Sequence, residues 1–233
     1  GFRITPVGGP PLQRAGPWLI VAFAAGALAA ACLYFLAVQR GQARAQGGRL
    51  LLALGGIGLL LPVVEAWRPL FGYPYPWHGL RMFALLALHA AAAVLLPAYL
   101  VRRFDIDVPM SARIAYLLTL AGILAWLPSF DGRGATVLLL SLLASAWLLH
   151  RAHGEREERR PIFVLLLVGA LTLPVTGGAV LDGPYFLLLA VLMGFLLLRH
   201  ADRLRRLDRN NARLREERAR LSLQLLQRGI QPH

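Results

Sequence analysis

Uncharged apolar positions gather into seven runs along the chain, at about 17–39, 50–64, 82–101, 114–130, 134–149, 161–181 and 183–198. Each run predicts a helix that crosses the hydrocarbon of a bilayer, for which about 20 residues are needed. The second, fifth and seventh runs are shorter than that, but flanking Gly and Trp and the apolar stems of Arg extend each of them. Turn-forming residues mark the breaks: Pro-Ser-Phe-Asp-Gly-Arg-Gly at 128–134 separates the fourth run from the fifth, and Leu-Asp-Gly-Pro at 181–184 separates the sixth from the seventh. The expected fold is all-α, a polytopic seven-transmembrane helix bundle.

Past residue 199 the pattern changes. Leucines stand at 204, 207, 214, 221 and 225, with Asn211 and Arg218 between them. With Leu204 at position a and Leu207 at d of a heptad, Asn211 falls at a, where a buried asparagine pair sets a parallel two-stranded register at some cost in stability. Arg203 at g then faces Asp208 at e of the partner helix. The seam Leu204, Leu207, Asn211, Leu214, Leu221 and Leu225 therefore predicts a cytoplasmic coiled coil continuous with the seventh helix, and a parallel homodimer. The competing reading of the same residues is an amphipathic helix lying on the membrane.

Composition agrees with the runs. Of 233 residues 57% are hydrophobic and 16% charged, and mean hydropathy is +0.56, which excludes an ordinary soluble domain. Residue 1 is glycine, so residues 1–16 read as the end of a truncated extracellular region. The remaining divisions are a seven-helix module at 17–199, the coiled coil at 200–228 and a terminal segment at 229–233. A lone cysteine, Cys32, lies inside an apolar run, so cysteine builds neither a disulfide framework nor a metal site.

Arginine supplies all 25 basic residues. With the N-terminus outside, twenty arginines fall in cytoplasmic segments, ten of them from Arg199 onward, against five outside: Arg3, Arg14, Arg68, Arg81 and Arg133. The positive-inside rule thus predicts an inner-membrane protein with its N-terminus out and C-terminus in. The formal charge of +13 is mostly this topology signal and favours anionic membrane lipids; it does not call for nucleic acid. A basic leucine zipper would place its basic region ahead of the heptads, whereas these arginines are interleaved with them. The absence of lysine excludes a retinal Schiff base, and no metalloprotease, Walker or dinucleotide-binding signature is present. Gly55, Gly56 and Gly58 lie within a spanning run and predict close helix packing, as do Gly26 and Ala30. A small-molecule transporter or channel is the alternative function; its expected paired helix breaks reduce here to one candidate, Leu173 to Gly178.

Candidate binding residues cluster near the outer face. Glu65, Trp67 and Arg68 leave the second run, residues 72–79 are predicted as a loop carrying Trp77 and His78, and Arg81 opens the third run. Asp131, Arg133 and Asp182 are placed in the other outer loops. Two readings stay open: an aromatic belt with interfacial charges, or a rim contacting a ligand or ectodomain. His89 is expected about two turns inside the third helix, where an ionisable group faces the bundle and finds a polar partner.

The chain ends Leu226-Gln227-Arg228-Gly229-Ile230-Gln231-Pro232-His233. The spacing Leu-Gln-x-x-Ile-x-Pro-His resembles the start of the phosphoacceptor box of LytS-type sensor histidine kinases, which continues into Phe-Leu-x-Asn. Seven helices joined to such a box look like the bacterial seven-transmembrane receptors with diverse intracellular signalling modules. The resemblance covers the helix count, the order of parts and eight terminal residues, and Gly229 departs from the glutamine often found there. It implies that His233 is the phosphate-accepting histidine, that ATP and Mg bind a kinase domain beyond this segment, and that a response regulator is the downstream partner. The segment contains no ATP-binding lobe and is not itself expected to phosphorylate anything.

Overall fold

A computed structural model describes residues 11–39, 48–71, 76–152, 156–175 and 183–229. Among them the chain is all-helical, with seven helices and no strand: α1 Pro11–Gln39, α2 Gly48–Phe71, α3 Pro76–Phe104, α4 Met110–Trp126, α5 Phe130–Arg151, α6 Arg156–Val175 and α7 Gly183–Gly229. Four of these contain stretches long and apolar enough to cross a membrane, Val21–Val38, Gly48–Glu65, Pro76–Phe104 and Gly132–Arg151, and α4 is a shorter apolar helix. Large side chains such as Phe23, Leu33, Phe83, Trp126 and Leu171 point outward and are more than half exposed. Apolar surface on that scale needs a cover other than water, and several such helices suggest a membrane protein.

The helices run past the apolar runs where local chemistry favours it. Pro76 has a fixed φ suited to the first helical position, so α3 begins there and takes up Trp77, His78 and Gly79, which the sequence pattern predicts as a loop. The same correction applies to Asp131 and Arg133. Ser129 caps α5, its hydroxyl accepting the Gly132 N–H at 3.2 Å, so both residues belong to the first turn of that helix. At the other end of α3, Asp105 turns left-handed with φ 48°, and the Ile106 N–H donates to the Val101 carbonyl at 3.0 Å. This is the 6→1 bond of a Schellman ending, with aspartate in place of the usual glycine. The turn then delivers Pro109 to the start of α4, where its carbonyl accepts from Ala112 and Arg113.

Six helices form a closed ring in the order α1, α2, α3, α5, α6, α7, with α7 returning to α1 and also touching α2. The largest core cluster fills this ring and includes Phe35, Tyr99, Leu149, Leu166 and Leu197. Close approach of α1 and α2 rests on two glycines: a Cβ on Gly55 would lie 2.6 Å from Cys32 Sγ, and one on Gly58 would lie 2.8 Å from Leu28 Cδ2. The packing expected of these residues is therefore seen at Gly55 and Gly58. It is not seen at Gly56 or Gly26, beside which a Cβ would meet nothing within 4 Å. Gly26 and Ala30 are exposed because they lie on the outward face of α1.

Helix α4 stands outside the ring, against α5, and its one buried residue is Leu120. Helix α7 leaves the bundle at its middle. Leu204 is 4% exposed and belongs to the ring core, whereas every described side chain from 205 to 224 is exposed. The heptad reading puts Leu204 at the head of the dimer seam; it is already buried in the core of the ring within one chain, so the apolar stripe available to a partner starts at Leu207.

Candidate functional site

Among the described residues three polar constellations link helices within a largely apolar bundle. The first joins the α2–α3 hairpin. Arg81 Nη2 lies 2.5 Å from Glu65 Oε2, with the two side chains 9% and 20% exposed. Sixteen residues separate them in sequence, and the antiparallel hairpin brings them level. A pair this far from water is held more by the penalty of separating it than by its net attraction, since either charge alone would be left desolvated. His78 and Trp77 lie one turn nearer the start of α3, half-buried and exposed respectively. Of the proposed rim, then, Glu65 and Arg81 are coupled, with His78 and Trp77 beside them.

His89 is deeper than expected. Because α3 starts at Pro76, thirteen residues earlier, the imidazole sits close to the middle of the helix, about 20 Å from its start. Its Nδ1 donates to the Leu85 carbonyl at 2.7 Å, and the ring lies 3.5–3.9 Å from where a Cβ on Gly134 would stand. Glycine at 134 gives the ring its place between α3 and α5.

The second constellation was not foreseen and centres on a backbone carbonyl. Pro97 inside α3 has no N–H, so the carbonyl of Ala93 four residues earlier loses its helical partner. Two hydroxyls from two other helices replace it: Tyr116 of α4 donates at 2.8 Å and Ser141 of α5 at 3.2 Å. Leaving such a buried carbonyl without a partner costs about 1–3 kcal/mol. One proline thereby fixes where α4 and α5 attach to α3.

The third lies where α7 leaves the ring. Arg103 Nη1 donates to His200 Nδ1 at 3.0 Å, with the Tyr99 hydroxyl 3.4 Å from the same nitrogen, and Phe35 of α1 meets the imidazole edge-on at a centroid distance of 5.4 Å. Since an arginine can only donate, Nδ1 must be the unprotonated nitrogen and the proton sits on Nε2. Nε2 is buried and meets no partner among the described residues. His200 stands two residues beyond the seventh apolar run. Burial first, then the charges of Arg103 and Arg203, lower its pKa to about 4. A neutral histidine thus ties together α1, α3 and α7 at the point where α7 becomes a free rod. Nearby, Arg205 of α7 stacks over Tyr34 of α1, 4.8 Å from its ring centre.

At the α5–α6 connection Arg159 donates to the carbonyls of Leu149 and Ala152, supplying both hydrogen bonds and a positive charge to the C-terminus of α5. Among the described residues no cluster of three or more His, Cys, Asp or Glu is arranged to hold a metal ion.

Several predicted residues lie outside this description. His233 and Asp182 are outside the described residues, and Trp67, Arg68 and Leu225 are described only as backbone of α2 and α7. Asn211, Leu214 and Leu221 are exposed on α7 and contact nothing that would make a seam within one chain. Tyr99, Arg103, His200, Tyr116 and Ser141 were missed from sequence; Pro97 within an apolar run was the signal available for the last two. No family model matches the chain, and neither a curated protein nor a solved structure matches it.

Proposed function

We propose that this chain is the membrane-embedded sensor and transmission module of a bacterial two-component histidine kinase of the seven-transmembrane type. All seven helices would span the inner membrane, with the N-terminus outside and α7 emerging in the cytoplasm. Two copies would pair in parallel through Leu207, Asn211, Leu214, Leu221 and Leu225. The observation that carries this reading is α7 itself: 47 residues without a break, leading from the ring core into exposed leucines at 207, 214 and 221, one heptad apart. That geometry suits a helix that carries motion from a membrane bundle to a cytoplasmic domain. The resemblance of the terminal Leu-Gln-x-x-Ile-x-Pro-His to a phosphoacceptor box supports the same reading, in which His233 would accept the phosphate. The Arg102, Arg103, Arg113, Arg151 and Arg159 cluster at the ends of α3 to α6 agrees with a cytoplasmic face there.

Two measurements test the proposal. Single cysteines at 207, 214 and 221, in native membranes, should cross-link between copies, while cysteines at 209 and 216 should not; equal cross-linking at both sets removes the parallel seam. The residues after His233 in the natural polypeptide should read Phe-Leu-x-Asn and lead into an ATP-binding lobe. Any other continuation removes the kinase reading and leaves a transporter or channel as the better account.

A further inference from the structure

Helix α4 meets the ring through Tyr116, Leu120, Ile123 and Leu124, and beside its first half a groove stays open between α3, α4 and α5. It encloses about 590 Å³, within the roughly 300–1,000 Å³ typical of ligand sites. Small residues from each helix, Ala98, Ala115 and Ala144, leave the space, and Trp147 forms part of its wall. On α3 the lining runs from Val94 to Arg102, a rise of about 12 Å. One leaflet of hydrocarbon is about 15 Å deep.

Charge is confined to one end of this groove. Arg102 and Arg113 line it there, and an adjoining hollow of about 330 Å³, which shares Val108, Trp147 and Leu148, is lined by Asp105, Asp107 and Arg151. The Arg151 guanidinium carbon stands over the Trp147 ring, 4.2 Å from its centre, which holds the charge at the junction of the two spaces. Three arginines against two aspartates leave a formal excess of one positive charge.

We propose that the groove binds one anionic glycerophospholipid of the leaflet facing the α3–α4 turn. An acyl chain lies between Ala98, Ala115 and Ala144, the phosphodiester sits between Arg102 and Arg113, and headgroup hydroxyls donate to Asp105 and Asp107. A single phosphodiester neutralises the excess charge, and a bidentate arginine contact is the geometry that phosphate oxygens favour. Phosphatidylglycerol meets all three requirements; a phosphatidylcholine has no donor for the aspartates and brings no net charge. Basic pockets between membrane helices on the cytoplasmic side are the general form of such a site. The inference rests on the membrane reading given above.

The full chain, purified in mild detergent and titrated with phosphatidylglycerol, phosphatidylethanolamine or phosphatidylcholine, is to be followed by native mass spectrometry. One phosphatidylglycerol should be retained in preference to phosphatidylcholine. Arg102→Gln with Arg113→Gln should lower phosphatidylglycerol occupancy about tenfold or more while leaving phosphatidylcholine unchanged, and Ala144→Phe should expel the retained lipid by filling the groove. Unchanged phosphatidylglycerol binding in both variants overturns the site. So does loss of dimer mass with unchanged lipid in Ala144→Phe, which would make the groove a contact between two copies. Equal retention of phosphatidylethanolamine overturns the charge argument. Carbonate extraction of the same variants keeps the two levels apart: a chain released by carbonate refutes the membrane reading, whereas an inserted chain with unselective lipid binding refutes the site alone.

Discussion

Removing the two hydroxyls that serve the Ala93 carbonyl tests whether Pro97 is what makes them matter. Tyr116→Phe keeps the ring and deletes one donor; Ser141→Ala deletes the other. Side-chain hydrogen bonds inside membrane proteins are worth about 0.6 kcal/mol on average and at most about 1.7. Each single change leaves the carbonyl one partner and should cost about 0.5 kcal/mol. Together they leave a buried acceptor with neither hydroxyl, which adds a desolvation penalty of about 1–3 kcal/mol. The double variant should therefore lose more than the sum of the singles, by about 1–2 kcal/mol. In a Pro97→Ala background the N–H of residue 97 can return to Ala93, and the same double change should cost no more than about 1 kcal/mol in total. Reversible unfolding in mixed micelles, followed by helical circular dichroism, supplies the four free energies in each background. Equal costs in the two backgrounds, within the roughly 0.3–0.5 kcal/mol by which independent sites add, would refute the argument.

Four further outcomes follow from the same geometry. His200 has a folded pKa near 4 against an ordinary 6.5. The unfolded chain therefore binds the proton first, and stability that is complete above pH 6.5 should fall between pH 6.5 and 4 by at most about 3 kcal/mol; His200→Gln should flatten that slope, and an unchanged slope would refute the assignment. Glu65→Leu should destabilise by about 3 kcal/mol by removing the carboxylate that faces the buried Arg81 guanidinium, while Glu65→Leu with Arg81→Leu should recover most of that loss in the same unfolding assay. In a Cys32→Ala background, cysteines at 75 and 182 should label from outside intact cells and those at 105 and 155 only after lysis; the reverse pattern would overturn the proposed orientation. Asn211→Leu with Arg218→Leu should tighten dimers of a 199–233 peptide in sedimentation and lock the parent kinase against its stimulus; tighter dimers with a normal response would leave the coiled coil a passive clamp.

Helix number and order were legible because backbone in apolar surroundings has to satisfy itself, and only long uninterrupted runs can do so. Helix ends were less legible, since they depend on single residues: Pro76 starts α3 six residues before its apolar run, and Ser129 pulls Asp131 and Arg133 out of a loop. Glu65 and Arg81 were both singled out, yet their pairing needs the hairpin geometry that no spacing of sixteen encodes. His200 was hidden among Arg199 and Arg203, where it read as ordinary charge at the end of a spanning run. Its neutrality comes first from burial, against Phe35 and Tyr99, and then from the charges of Arg103 and Arg203; Phe35, Tyr99 and Arg103 are far away in sequence. The Ala93 carbonyl was recoverable in principle, because a proline in a helix always frees the acceptor four residues back. What the sequence could not say is which hydroxyls would answer it. Leu204 shows the same limit in reverse: its heptad position suits a seam, but the ring core takes it.

The unbroken course of α7 has a mechanical consequence. Between Leu204, clamped in the ring, and Gly229 the helix is a cantilever of about 37 Å. No proline lies within that stretch to absorb a bend. A tilt of about 5° at Leu204 would sweep the far end sideways by about 3 Å, and a rotation about the helix axis would arrive undiminished. Small rearrangements among Phe35, Tyr99 and Arg103 are thus magnified by length alone, without any hinge along the way.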